Sequence, residues 1–161
     1  CFLGAHMIPA LPGPRGWLVA RLGRRGYLAA FSLLSIGLLY WLIVAAGRAP
    51  YVHLWDQPLW SRWLVNIAMP VAILVAVLAR GMSGLVLAFA LWAGAHLVAN
   101  GDLAHVIFFG GMGVFALSGL LRSGLPGAFR VTWQRLVLAV LVWAALLHLH
   151  PLVIGVSPLP V

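Results

Sequence analysis

Residues 82–121 read MSGLVLAFALWAGAHLVANGDLAHVIFFGGMGVFALSGLL, two apolar runs on either side of the polar group Asn100-Gly101-Asp102. Each run is close to the ~20 apolar residues that a helix needs to cross a hydrocarbon layer of ~30 Å. Gly101 allows the backbone to turn sharply, and Asp102 is a residue type that caps helix N-termini. The stretch therefore predicts a transmembrane helical hairpin with a polar turn at one membrane surface.

The rest of the chain is equally apolar. Of the 161 residues, 64% are hydrophobic and 7% are charged, against ~45–50% apolar residues in a typical soluble domain. We therefore predict an all-α integral membrane protein, a polytopic transmembrane helical bundle with five full spans. The predicted spans are Tyr27–Ala46, Trp63–Ala79, Met82–Ala99, Leu103–Leu121 and Leu136–Val156.

The opening run from Phe2 to Leu11 is apolar but too short to span. Because the chain begins at Cys1, we interpret this run as a truncated N-terminal helix and the sequence as a fragment. A signal peptide would need a basic region ahead of the apolar part, and none is present. We expect residues 1–161 to form a single transmembrane domain.

The net charge of +8 is carried by arginines that separate by loop. In the alternating topology only Arg48 and Arg62 fall on one side. The other side holds Arg15, Arg21, Arg24, Arg25, Arg80, Arg122, Arg130 and Arg135. This is the positive-inside pattern, which places the larger group in the cytoplasm. The positive charge of an integral membrane protein is thus expected to face lipid headgroups, so the lipid bilayer and not nucleic acid is its predicted partner.

The basic segment PRGWLVARLGRRGY, residues 14–27, carries four of these arginines between apolar side chains. We expect it to lie at the membrane interface, held by anionic lipid headgroups. In the outer loop, His53 stands beside Trp55 and Asp56, and it is predicted to be solvated.

The remaining histidines lie in or next to apolar runs, where polar groups are costly and are often functional. His96 is followed at i+4 by Asn100 on the same helix face, whereas the role of His105, in the first turn of the next helix, stays open. His148 and His150 would point ~200° apart on a helix, so they cannot bind one metal together. Pro151 is expected to bias His150 away from helical geometry.

The predicted spans contain no cysteine and no carboxylate, so zinc or di-iron sites are disfavoured. Histidines on separate helices among apolar and small residues suit a haem b held by axial imidazoles. By topology, His6 lies nearer the inner face and His96 nearer the outer face, an offset on the order of 10 Å. Unless helix tilt or a kink at Pro9 absorbs this offset, His96 with His148 or His150 is the better ligand pair.

Five segments, in this order, resemble the NnrU family of integral membrane proteins. They are FLGAH (2–6), LVARLGRRGYLAAFSLLS (18–35), GRAPYVHLWD (47–56), LWAGAHLVANGDLA (91–104) and LHPLVIGVSPLP (149–160). The chain departs from the family at ARGMSGLVL, residues 79–87, where an RHP motif is usual. The loop after Leu121 is also shorter.

The family includes the 15-cis-zeta-carotene isomerase, and its bacterial members are associated with denitrification and nitric oxide metabolism. The resemblance implies haem b, with its iron ligands falling on His6 and His96, while His150 matches a further family position. It also implies a redox-dependent cis-trans isomerase that acts on an apolar polyene. The alternative is a non-enzymatic membrane component of denitrification with an unidentified protein partner. No catalytic residue is assigned.

Overall fold

A computed structural model describes residues 2–7 and 12–159 of the chain. Within these ranges the regular structure is helical, and the only strand-like features are isolated bridges. The helices are α1 Phe2–Met7, α2 Pro12–Gly47, α3 Leu59–Leu78, α4 Met82–Ala99, α5 Leu103–Ser123 and α6 Trp133–Val153. The helices α2 to α6 are long and apolar enough to cross a membrane. The predicted fold class, five spans and a short N-terminal helix, is confirmed.

Contacts divide the chain into two compact units, Cys1–Ala49 and Pro50–Val161. In the first unit α1 packs on α2. The basic segment is helical and continues into the span, with a break at Gly23, whose backbone has φ 67° and ψ 162°. Glycine tolerates this conformation, whereas other residues are strained there.

In the second unit, α3 packs against α4 and α6, and α4 also packs against α5. The buried positions are mostly small: Ala72 on α3, Ala93 on α4, Ala116 on α5 and Ala139 on α6 are each at most 4% exposed. Small residues let helix backbones approach closely, which drives association in lipid, where the hydrophobic effect between helices is absent. The large apolar side chains point outward instead, as expected of surfaces that contact acyl chains.

In the second unit, two helices begin earlier than the hydrophobic pattern predicts. α3 begins at Leu59 because Pro58 is its N-cap residue, and the Ser61 hydroxyl donates to the Pro58 carbonyl at 2.8 Å. α6 begins at Trp133 because the Thr132 hydroxyl accepts a hydrogen bond from the Arg135 N–H. Polar residues at both starts therefore extend the helices beyond their most apolar windows.

The end of α6 corrects two expectations. The helix stops at Val153, before the predicted Val156, and Gly155 follows with φ 86°. Pro151 lies inside the helix, so it does not displace His150 from helical geometry. The proline lacks one backbone donor, but the helical bonding continues past it, because the Ile154 N–H bonds the His150 carbonyl at 2.8 Å.

The C-terminus of α3 is held by the loop before α6. The Arg130 N–H bonds the Leu78 carbonyl at 2.7 Å, and the Arg80 N–H bonds the Ala128 carbonyl at 2.9 Å. The Arg135 guanidinium donates to the Val77 carbonyl at 2.9 Å. Carbonyls that a helix end leaves without intrahelical partners are therefore satisfied by the chain itself.

Candidate functional site

His96 lies in the last turn of α4 and is partly buried. Its Nδ1 is 2.9 Å from the carbonyl oxygen of Trp92, one turn earlier. Since a carbonyl oxygen can only accept, Nδ1 carries the proton and the neutral ring keeps its lone pair on Nε2. Histidines that bind metals typically donate their other ring N–H in this way, which fixes the ring orientation and the tautomer. His96 therefore presents the nitrogen that a metal would need.

Aromatic rings surround His96. We call Trp92, His96, Phe108 and Phe109 the aromatic cluster. The His96 ring stacks on Phe109, with centroids 5.1 Å apart and an interplanar angle of 30°, and lies 5.4 Å from the Trp92 ring. Trp92 also contacts Phe109 edge-on at 5.3 Å, and Phe108 lies 4.7 Å from Phe109. These contacts between α4 and α5 hold the imidazole plane and keep an apolar environment around it.

The turn between α4 and α5 is built from the polar group predicted to form it. The Asn100 side-chain amide donates to the His96 carbonyl at 2.7 Å, and the Asp102 carboxylate accepts from the backbone N–H of His105 at 3.2 Å. The predicted capping role of Asp102 is confirmed. Gly101 does not adopt a positive φ, so its importance has another cause.

That cause is the outer loop, which packs directly on the turn. The backbone N–H groups of Leu54 and Trp55 both donate to the Gly101 carbonyl, at 2.8 and 3.1 Å. The Leu103 N–H in turn donates to the Val52 carbonyl at 3.0 Å. A side chain at position 101 would meet the Trp55 backbone, because its Cβ would lie 2.8 Å from the Trp55 carbonyl carbon. Glycine is required here for close approach.

Asp102 and His105 form a second polar pair. The His105 Nδ1 lies 2.6 Å from an Asp102 carboxylate oxygen, and Asp102 is only 5% exposed. The His105 ring also stacks on Phe109, at 6.0 Å and 18°. Phe109 thus contacts both His96 and His105. The sequence left the role of His105 open, although the D-x-x-H spacing at a helix start could have signalled this contact.

The two histidines of α6 differ in environment. His148 is exposed, and its Nδ1 bonds the Ala144 carbonyl at 2.8 Å. His150 is partly buried, and its Nδ1 bonds the Val156 carbonyl, also at 2.8 Å. Of the two α6 histidines, His150 is therefore the less exposed.

His6 belongs to the first unit, where its ring meets Phe31 edge-on at 5.1 Å. Its pairing with His96 stays a prediction. His53 is exposed, as predicted, and its Nε2 is 3.6 Å from Asp56. Among residues 2–7 and 12–159, no three histidine, cysteine or acidic side chains converge as metal ligands. The donor set fits a centre that needs only one or two axial imidazoles.

The family model for the NnrU protein matches residues 1–158 of the chain. No curated protein matches, and no solved structure does so either.

Proposed function

This chain belongs to the NnrU family of membrane proteins, and from that membership we propose that it binds haem b in the membrane with His96 as an axial ligand. One observation carries the proposal. The Nδ1 of His96 donates to the Trp92 carbonyl, which leaves the Nε2 lone pair for the iron. The partly buried ring, packed on Phe109, suits a cofactor that is itself large, flat and apolar.

The residues of the aromatic cluster have separate tasks in this proposal. The Trp92 carbonyl fixes the tautomer and rotation of the His96 ring, and the neighbouring rings pack against that ring. A second histidine ligand would be His6, as the resemblance implies, or His150, which matches a further family position. His150 already has its Nδ1 held by the Val156 carbonyl, so it also presents Nε2.

The proposed activity is a cis-trans isomerisation of an apolar polyene such as 15-cis-zeta-carotene. Bound haem would supply a redox-active iron that, when reduced, lowers the order of a polyene double bond and so its barrier to rotation. A hydrocarbon substrate would enter from the bilayer, where the spans present mostly apolar side chains. The family's bacterial members favour a bacterial inner membrane, and the arginine distribution favours its cytoplasmic side for the basic segment.

Absorption spectroscopy tests haem binding. The chain is expressed with added haem precursor, purified in mild detergent, and its spectrum is recorded before and after dithionite reduction. We expect a Soret band that shifts on reduction and that His96→Ala removes. His53→Ala is the control, because His53 is an exposed loop histidine. Free imidazole should restore the band in His96→Ala if only the ligand, and not the fold, was lost.

Further variants separate the candidate second ligands. His6→Ala and His150→Ala are measured in the same way, and the one that supplies the second ligand should change the spectrum of the reduced protein. A colourless wild-type preparation, or an unchanged band in His96→Ala, would contradict the proposal. A colourless protein that still supports denitrification would instead favour the non-enzymatic role.

Turnover is measured separately. Purified protein is mixed with 15-cis-zeta-carotene in detergent under anaerobic conditions, and the isomers are separated by chromatography. Conversion should occur with reduced protein and stop in the oxidised protein and in His96→Ala. If haem is present but the substrate is not converted in either redox state, haem binding stands and the isomerase assignment is wrong.

A further inference from the structure

The break in α2 creates a cavity within the first unit. Its volume is about 410 Å³, and its lining residues are Arg15, Gly16, Val19, Arg24, Tyr27 and Leu28. We call it the kink cavity, because its walls come from both sides of the non-helical residue Gly23.

The break explains why two arginines share this cavity. Arg15 and Arg24 are nine positions apart, so on an unbroken helix they would lie about 180° from each other. The backbone of Gly23, with φ 67°, redirects the chain between them. Both arginines consequently line one cavity, whereas the periodicity of an unbroken helix would put them on opposite faces.

The chemistry of the walls is mixed. Val19 and Leu28 supply an apolar surface, and Tyr27 is 7% exposed. Arg21 lies elsewhere, with its guanidinium 4.7 Å from the centroid of the Trp17 ring. The sequence of the first unit contains no aspartate or glutamate, so no side-chain carboxylate within this unit neutralises the cavity arginines.

We propose that the kink cavity binds an anionic phospholipid, with the phosphodiester group between Arg15 and Arg24 and the start of an acyl chain along Val19 and Leu28. Arginine is well suited to phosphate because its planar fork donates several hydrogen bonds at once. The apolar wall favours a lipid over free phosphate. The arginine distribution also places this segment at the cytoplasmic surface, where anionic headgroups are present.

Native mass spectrometry tests the site on the purified chain in neutral detergent. The chain is titrated with dioleoylphosphatidylglycerol, with dioleoylphosphatidylcholine and with inorganic phosphate. We expect one phosphatidylglycerol to bind at least about tenfold more tightly than phosphatidylcholine. Arg15→Gln/Arg24→Gln should weaken it at least about tenfold for each arginine, as expected for a charge-assisted hydrogen bond.

Two further variants make the test specific. Arg21→Gln/Arg25→Gln removes the same charge from positions that do not line the cavity, and should retain most of the binding. Val19→Trp fills the cavity without changing charge, and should weaken phosphatidylglycerol binding. Equal loss in the two arginine pairs would overturn the proposal in favour of a general basic surface. Unchanged binding to folded Val19→Trp would overturn it, and so would inorganic phosphate binding as tightly as the lipid.

Discussion

Replacing Gly101 with alanine should strongly destabilise the second unit. The added Cβ would lie 2.8 Å from the Trp55 carbonyl carbon and 2.9 Å from its Cδ1, and closer still to the carbonyl oxygen. The loop must move away, which removes the hydrogen bonds from Leu54 and Trp55 to Gly101. Two such bonds contribute about 2 kcal/mol, and overpacking adds about 1–3 kcal/mol. The expected loss in free energy of unfolding is about 3–5 kcal/mol.

The measurement is equilibrium unfolding in mixed detergent and sodium dodecyl sulfate, followed by circular dichroism. Gly94→Ala is the matched control, because it makes the same substitution on α4 at a site where no atom lies within 4 Å of the new Cβ. It should change stability by no more than about 1 kcal/mol, in the stabilising direction, since alanine favours helix over glycine. If the two variants unfold alike, the contact of loop and turn does not stabilise the protein and the reasoning is refuted.

Three further substitutions test the caps and helix contacts by the same unfolding assay. Asp102→Ala should lower the free energy of unfolding by about 1–2 kcal/mol, because α5 loses its N-cap. Asp102→Asn can still cap the helix and should lower it by less. Equal losses in the two variants would contradict the capping role. Arg135→Gln should lower the free energy of unfolding by about 1 kcal/mol, because it removes a donor to the Val77 carbonyl. Its control is Arg122→Gln, at an exposed arginine, which should leave the stability unchanged. Gly84→Ala should lower the free energy of unfolding by about 1–3 kcal/mol, because the new Cβ would clash with the Ala79 Cβ. Wild-type stability in this variant would contradict the prediction, since it would mean that the segment connecting α3 and α4 moves away without loss of stability.

The sequence predicted those elements whose signals are local. The bounds of α4, Met82–Ala99, were predicted as observed, because its apolar run ends directly at a polar turn. The start of α3 was missed, since Pro58 caps the helix ahead of its apolar window. Pro151 was given too much weight, because the helix continues through it and the Ile154 N–H still bonds the His150 carbonyl.

The candidate site was predictable to a similar extent. His96 was singled out from its apolar neighbours and from the family resemblance, and these did not reveal its packing. The ring on which it stacks, Phe109, belongs to a different helix, so only tertiary structure brings them together. The loop contact at Gly101 was missed for the same reason, because Trp55 is distant in sequence and the glycine pattern indicated only a turn.

The contact between the outer loop and the Gly101 turn also bears on biosynthesis. Residues 52–55 are made before residues 100–103, and in the predicted topology both reach the outer side of the membrane. When the hairpin of α4 and α5 inserts, its docking partner has therefore already been translocated. The backbone hydrogen bonds of Leu54 and Trp55 can then form as soon as Gly101 emerges. The order of synthesis thus makes the loop available before the turn on which it packs.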